Sequence, residues 1–137
     1  MKKYLLALSI GPVQGFIAAA RRTRDLWFGS YILSEVSKAA AKALDDLKAD
    51  LIFPAPKNKN LLAADSELQV TNHIMALVSE GFDPEEEFAK CAKKAARKRW
   101  LSFAKSTLET VGREKIKYEI WKEQVDDVLE LYAVWVP

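Results

Sequence analysis

Cysteine and histidine are almost missing from this sequence: 137 residues contain one of each, Cys91 and His73. A single thiol excludes an internal disulfide and suits a reducing, cytoplasmic compartment. No apolar run reaches the roughly 18 residues of a membrane helix, so no membrane partner is expected. Met1-Lys2-Lys3 precedes an apolar run in the manner of a secretory leader. Gly11-Pro12-Val13-Gln14 and then arginines follow, where a leader would carry a small-residue cleavage site. The net charge of +2 is too small to argue for nucleic acid by itself. Catalytic signatures are missing too: no Walker Lys-Ser/Thr pair, no nucleophile elbow, no His-Asp pair and no Gly-Gly-Asp-Asp turn. The neighbouring carboxylates Asp45-Asp46 and Asp126-Asp127 fall near helix ends, where adjacent side chains point in different directions. The sequence therefore shows no catalytic residue and no metal-ligand set of its own.

What is present is a globular composition, half hydrophobic and 29% charged, in one domain's length of chain. Residues 3–10 read as a buried strand that stops at Gly11-Pro12, with Pro12 suited to the first position of a following helix. Phe16, Ile17, Ala20, Leu26 and Trp27 give that helix its apolar side. Gly29 reads as an interruption and Ser30 as a cap for the restart. Ile32, Leu33, Val36, Ala39, Ala40, Ala43, Leu44 and Leu47 then recur at three- and four-residue steps, an amphipathic helix. Residues 49–53 form a short strand closed by Pro54 and Pro56. A polar loop, 55–67, leads to a third strand over 70–78, which ends by Gly81. Asp83-Pro84-Glu85-Glu86-Glu87 is a helix start with an Asp cap, proline at N1 and acids in the first turn. The helix runs to Gly112, Trp121 and Val125 suggest a further turn or two, and 128–136 is the last strand. The order β-α-β-β-α-β predicts an α+β, ferredoxin-like split βαβ domain over residues 1–137, with four antiparallel strands and both helices on one face.

A strand passing through a glycine turn into a helix exposes unpaired N–H groups at a positive helix end, which makes the turn at Gly11 an anion-site candidate. Arg21 and Arg24 are three residues apart, and Arg21 can pair with Asp25. They read either as a solvated face or as phosphate contacts, where arginine's fork fits well. Lys93, Lys94, Arg97, Lys98 and Arg99 form a basic ridge that is either solvated or a secondary RNA or partner surface. His73, in an apolar strand, reads as a satisfied core or edge histidine, and Cys91 as a small packed hydrophobe.

The stretch Gly11-Pro12-Val13-Gln14-Gly15-Phe16-Ile17-Ala18-Ala19-Ala20-Arg21-Arg22-Thr23-Arg24-Asp25-Leu26-Trp27-Phe28-Gly29-Ser30-Tyr31-Ile32-Leu33-Ser34 resembles a signature of the large, polymerase/cyclase-like subunit of Cmr-type (type III-B) CRISPR–Cas complexes, in its N-terminal palm region. Thr71 to Val78 resembles that family's Asn-Arg strand, with His73 where arginine is usual. Trp121, Gln124, Glu130 and Trp135 resemble its closing pattern. The resemblance implies a ferredoxin-like palm that faces a second palm and shares ATP with it. The second palm carries the Gly-Gly-Asp-Asp turn with its Mg or Mn, and makes cyclic oligoadenylate when target RNA is bound. This chain has neither that turn nor an HD motif, so it looks like the first palm alone, a fragment of a longer multidomain protein. Ser9, Gly11 and Gln14 would then face the nucleotide, and Arg21, Arg24 and Ser30 would lie near it. The implied partners are the other domains of the same subunit, the other effector subunits and, indirectly, crRNA and target RNA. The alternatives are a stand-alone RNA-binding module using loop 55–67 and the ridge at Lys93 and Arg97, or a purely structural docking domain.

Overall fold

The computed structural model describes residues 3–79, 81 and 83–137, so the Met1-Lys2 start of the leader-like pattern lies outside the described residues. Strand β1 (Lys3–Gly11) leads into a short helix α1 (Val13–Ala19) and the long helix α2 (Thr23–Asp46). Strand β2 (Asp50–Phe53), a 3₁₀ turn (Lys59–Leu62) and strand β3 (His73–Ser79) follow. A π-helical turn (Pro84–Ala89) runs into helix α3 (Lys90–Val111). A second 3₁₀ turn, helix α4 (Tyr118–Asp127) and strand β4 (Glu130–Val136) complete the chain.

The sheet order is β2-β3-β1-β4, with every neighbouring pair antiparallel. This is the ferredoxin-like arrangement expected from the element order. Period-2 alternation decides which side chains meet the helices. Leu6, Leu8 and Ile10 of β1 and Ile74, Ala76 and Val78 of β3 are buried against α2 and α3, with Val36, Ala40, Leu44, Ala92 and Ala96 completing the core. The small residues on the helices let α2 and α3 approach the sheet and each other closely.

Several boundaries differ from expectation. Pro12 is not the first helical residue: it is the N-cap of α1, with extended backbone. The helix does not pause at Gly29, and Ser30 is no cap, because α2 runs through both. The break falls at residues 20–22 instead. Asp25 causes it by turning its carboxylate back to the N–H groups of Arg21 (3.3 Å) and Arg22 (3.1 Å), capping α2 there. Gly29 is buried beside Phe16 of α1, where a Cβ would stand in ordinary contact at 3.6 Å. Strand β3 starts at His73 rather than at residue 70, since Val70 N–H is drawn to the buried Ser34 hydroxyl (2.9 Å). His73 is not a core histidine: it is exposed at the start of β3, beyond the residues that pair with β2. Asp83 caps its helix as expected, accepting from the N–H groups of Glu85 (2.9 Å) and Glu86 (3.1 Å).

The other sheet face carries no helix. Along it the register sets cross-strand rows: Val136, Leu5 and Leu77, then Val134, Ala7 and Met75, then Tyr132, Ser9 and His73, and last Glu130 beside Gly11. The face is apolar at one end and polar at the other, and it is open: Val134 is 65% exposed and Tyr132 64%.

Candidate functional site

The polar end of the open sheet face meets the β1–α1 turn in a concavity of about 360 Å³. Ser9, Gly11 and Gln14, the three residues expected to face a nucleotide, line it together. Asn72, Glu130 and Tyr132 join them, with Ile10, Pro12 and Val13 as the apolar part of the lining. Glu130 stands opposite Gly11 in the β1–β4 pairing, and its carboxylate would lie 3.5 Å from a Cβ at Gly11. A side chain at Gly11 would thus fill the space between the turn and Glu130. Asn72 is held in place by its carbonyl, which accepts from Ile10 N–H at 2.9 Å.

The chemistry of this cup is that of neutral hydrogen-bonding groups, one carboxylate and one aromatic ring. Among the described residues no cation lines it, and α1 has only seven residues behind a proline cap that lacks an N–H. Amides, a hydroxyl and a ring suit a nucleoside's base and sugar. A triphosphate with its divalent ion finds no counter-charge here, and no group of three carboxylate, histidine or cysteine side chains gathers among the described residues.

Ser30 lines an adjoining concavity of about 310 Å³ with Leu33, Ser34 and Thr71, sharing Val13 and Asn72 with the cup. Arg21 and Arg24 line neither space. Arg21 lies in the break between α1 and α2, and Arg24 points to solvent at the start of α2, 3.8 Å from Asp25. The expected Arg21–Asp25 ion pair is replaced by the capping contact to the Arg21 N–H. The ridge on α3 also divides. Arg97 donates to the Asp126 carbonyl (3.1 Å) beside Trp100, whose Nε1 donates to the Val125 carbonyl (2.9 Å), so both close the end of α4. Lys93 is half-buried in a crevice with Leu131 and Tyr132.

Beside the helices lies a cluster the sequence did not disclose. Glu35 and Lys38, both on α2, are almost fully buried and paired at 2.5 Å. The Lys38 ammonium also donates to the carbonyl (3.1 Å) and hydroxyl (2.9 Å) of Ser66. Glu35 accepts from Arg99 Nη2 at 2.8 Å and from Asp65 N–H at 2.9 Å, while Arg99 reaches Asp65 Oδ1 at 2.8 Å. Burial alone would raise the Glu35 carboxyl. The Asp65 N–H, Lys38 and Arg99 together outweigh it and hold the group below its usual value. The cluster staples the loop to both long helices and so fixes the segment that delivers Asn72.

Tyr31 closes the cluster by donating to Asp65 Oδ1 at 2.5 Å. That bond, then burial and the nearby carboxylates, against the opposing pull of Arg99, push its phenol up to about 12. The raised value means that the phenol's contribution to stability is complete below its ordinary value near 10 and is lost as pH climbs toward 12. An ultraviolet alkaline titration is expected to show a phenol component near pH 12 that Tyr31→Phe removes.

Asn72, Glu130 and Tyr132 were not among the expected site residues, because strand pairing alone brings them to the turn. The signals available were Asn72 beside the unusual His73, and Glu130 in the closing pattern.

No helix among the described residues is long and apolar enough to cross a membrane. No curated protein matches the chain. A family model described as CRISPR-associated protein Cmr2, N-terminal, matches residues 5–105, from β1 through most of α3, leaving α4 and β4 outside the match. The match covers most of the chain, including the β1–α1 turn, the ion cluster and the α2–α3 layer, and the chain accordingly belongs to the CRISPR-associated Cmr2 N-terminal family, the N-terminal region of a Cmr-type, type III-B large subunit.

Proposed function

We propose that this chain is a non-catalytic palm-like domain that forms one wall of an ATP pocket, used in cyclic oligoadenylate synthesis by a partner palm in antiviral defence. The observation that carries the reading is the gradient along the open sheet face. Its apolar rows suit a second domain lying over them, and its polar end opens into the cup at Ser9, Gly11 and Gln14. Family membership supports work within a Cmr effector complex, and the reading takes that complex to be cytoplasmic.

In this reading the chain positions substrate and performs no bond chemistry. Ser9, Gln14 and Asn72 offer hydrogen bonds to base or sugar, Glu130 accepts from a ribose hydroxyl, and Tyr132 packs against a ring. ATP's phosphates and their Mg or Mn belong to the partner, because the cup lacks cations. The rival reading, RNA binding through loop 55–67 and the α3 ridge, loses support from the geometry. Arg97, Arg99 and Lys59 are engaged with Asp126, with Glu35 and Asp65, and with Asp45 respectively.

The test is oligoadenylate synthesis by the full-length subunit in its assembled complex. Gln14→Ala is expected to lower synthesis about tenfold, the worth of one well-placed hydrogen bond, with assembly and target binding intact. Arg24→Ala, outside the cup, is expected to leave synthesis unchanged. Normal synthesis with Gln14→Ala would make the turn a tight corner and the domain a scaffold.

A further inference from the structure

The start of α2 carries a surface that neither the cup nor the fold accounts for. Arg24, Trp27, Phe28 and Tyr31 share one helical stripe by their three- and four-residue spacing. Trp27 is 67% exposed and Phe28 47%, on a helix whose other half is buried. The rings are already ordered: Trp27 lies nearly parallel to Tyr31 (centroids 5.7 Å, 5°), and Phe28 stacks on the same ring (6.1 Å, 24°). Tyr31 itself is fixed from below by Asp65 and by the edge of Phe103. This is an aromatic ladder with a rigid base and an exposed top rung.

The charge around it is net positive. Arg21, Arg22 and Arg24 are exposed at the upper end, and the one acid among them, Asp25, is exposed too, capping the helix and lying 3.8 Å from Arg24. Three arginines against one carboxylate leave a local net of +2 (3 − 1). At the lower end Asp65 and Glu35 are matched by Arg99 and Lys38. A purely apolar partner would strand the arginines, whereas a polyanion with flat rings satisfies both halves. Arginines set beside exposed stacking rings are the means by which proteins hold single strands without reading sequence.

We propose that the Arg21–Tyr31 surface binds single-stranded nucleic acid, with a base stacked on Trp27 and flanking phosphates on Arg21 and Arg24. The site is separate from the cup and independent of its occupant. A duplex is excluded from it, because its bases are stacked on one another and offer no face to Trp27.

The experiment is fluorescence anisotropy of labelled ten-nucleotide oligo(U) RNA, the matching oligo(dT), and a duplex of the same length, titrated with the 137-residue chain over a salt series. Both single strands are expected to bind more tightly than the duplex, and their relative affinities report whether the 2′-hydroxyl is read. Trp27→Ala is expected to weaken binding about tenfold with little change in salt dependence, and Trp27→Phe to restore most of it. Arg21→Gln with Arg24→Gln is expected to lower the slope of log K against log salt by about 1.4, two phosphates' worth. These side chains are exposed, so the variants keep the wild-type melting temperature. No binding at low salt, equal binding of the duplex, or an affinity indifferent to Trp27→Ala would each overturn the proposal. Loss on Lys93→Gln with Arg97→Gln instead would also overturn it, by placing the strand on α3.

Discussion

Glu35→Ala is expected to cost about 3–5 kcal/mol of folding stability, the penalty for leaving a buried charge without its partner. Lys38 would keep Ser66 as its hydrogen-bond partner while remaining almost fully enclosed, and Arg99 would keep the exposed Asp65 and the Phe103 ring. For a chain of this size the melting temperature should fall by roughly 10–20 °C. Lys38→Met should cost less, because Glu35 keeps the Arg99 pair and the Asp65 N–H. Glu35→Ala combined with Lys38→Met should cost clearly less than the sum of the two single changes, because no ammonium is then left buried without its carboxylate. Additive losses would show that the two groups are held independently by the loop. Because the Glu35 carboxyl is held below its ordinary value, its contribution is present above that value and lost as pH falls through the lower, folded-state one.

Ile74→Ala is expected to remove about 3–4 kcal/mol, read from denaturant unfolding with an unchanged m-value. Ile74 is fully buried on β3 beneath the helices, next to Leu8, and its loss leaves a cavity in a layer with little freedom to collapse. Met75, the next residue, points to the opposite face and is 37% exposed. Met75→Ala should change the isolated domain's stability by no more than about 0.5 kcal/mol. If the open face is covered by a partner domain, the same substitution weakens that association instead. A large loss of stability in the isolated domain from Met75→Ala would mean that the face is covered by this chain itself.

The order of elements was legible because each strand and helix carries its own period and its own stop signal. Asp83-Pro84 marked the start of the second helical layer, and Gly112, with φ +90°, marked its end. What the sequence concealed was every feature set by contacts distant along the chain. Gly29 looks like a breaker, yet α2 runs through it, buried beside Phe16 of another helix. Glu35 and Lys38 sit three residues apart like any solvated pair, and only the returning loop buries them. The glycine turn looks like an anion site until β4 brings Glu130 beside it. The candidate site was therefore half legible: the residues of the turn were visible, and those supplied by strand pairing were not.

The strand order has a consequence for how the chain is made. Hairpin β2–β3 joins neighbours in sequence, but β1, made before the other three strands of this sheet, pairs with β3 and β4: Leu6 is flanked by Ala76 and by Trp135. Its two hydrogen-bonding edges must wait, one for β3 and the other for β4. Until then an apolar strand with open edges is a substrate for chaperones and for other nascent chains. Synthesis that stalls after α3 would leave a sheet missing its outermost member, and the cup would lack Glu130 and Tyr132 until translation resumed.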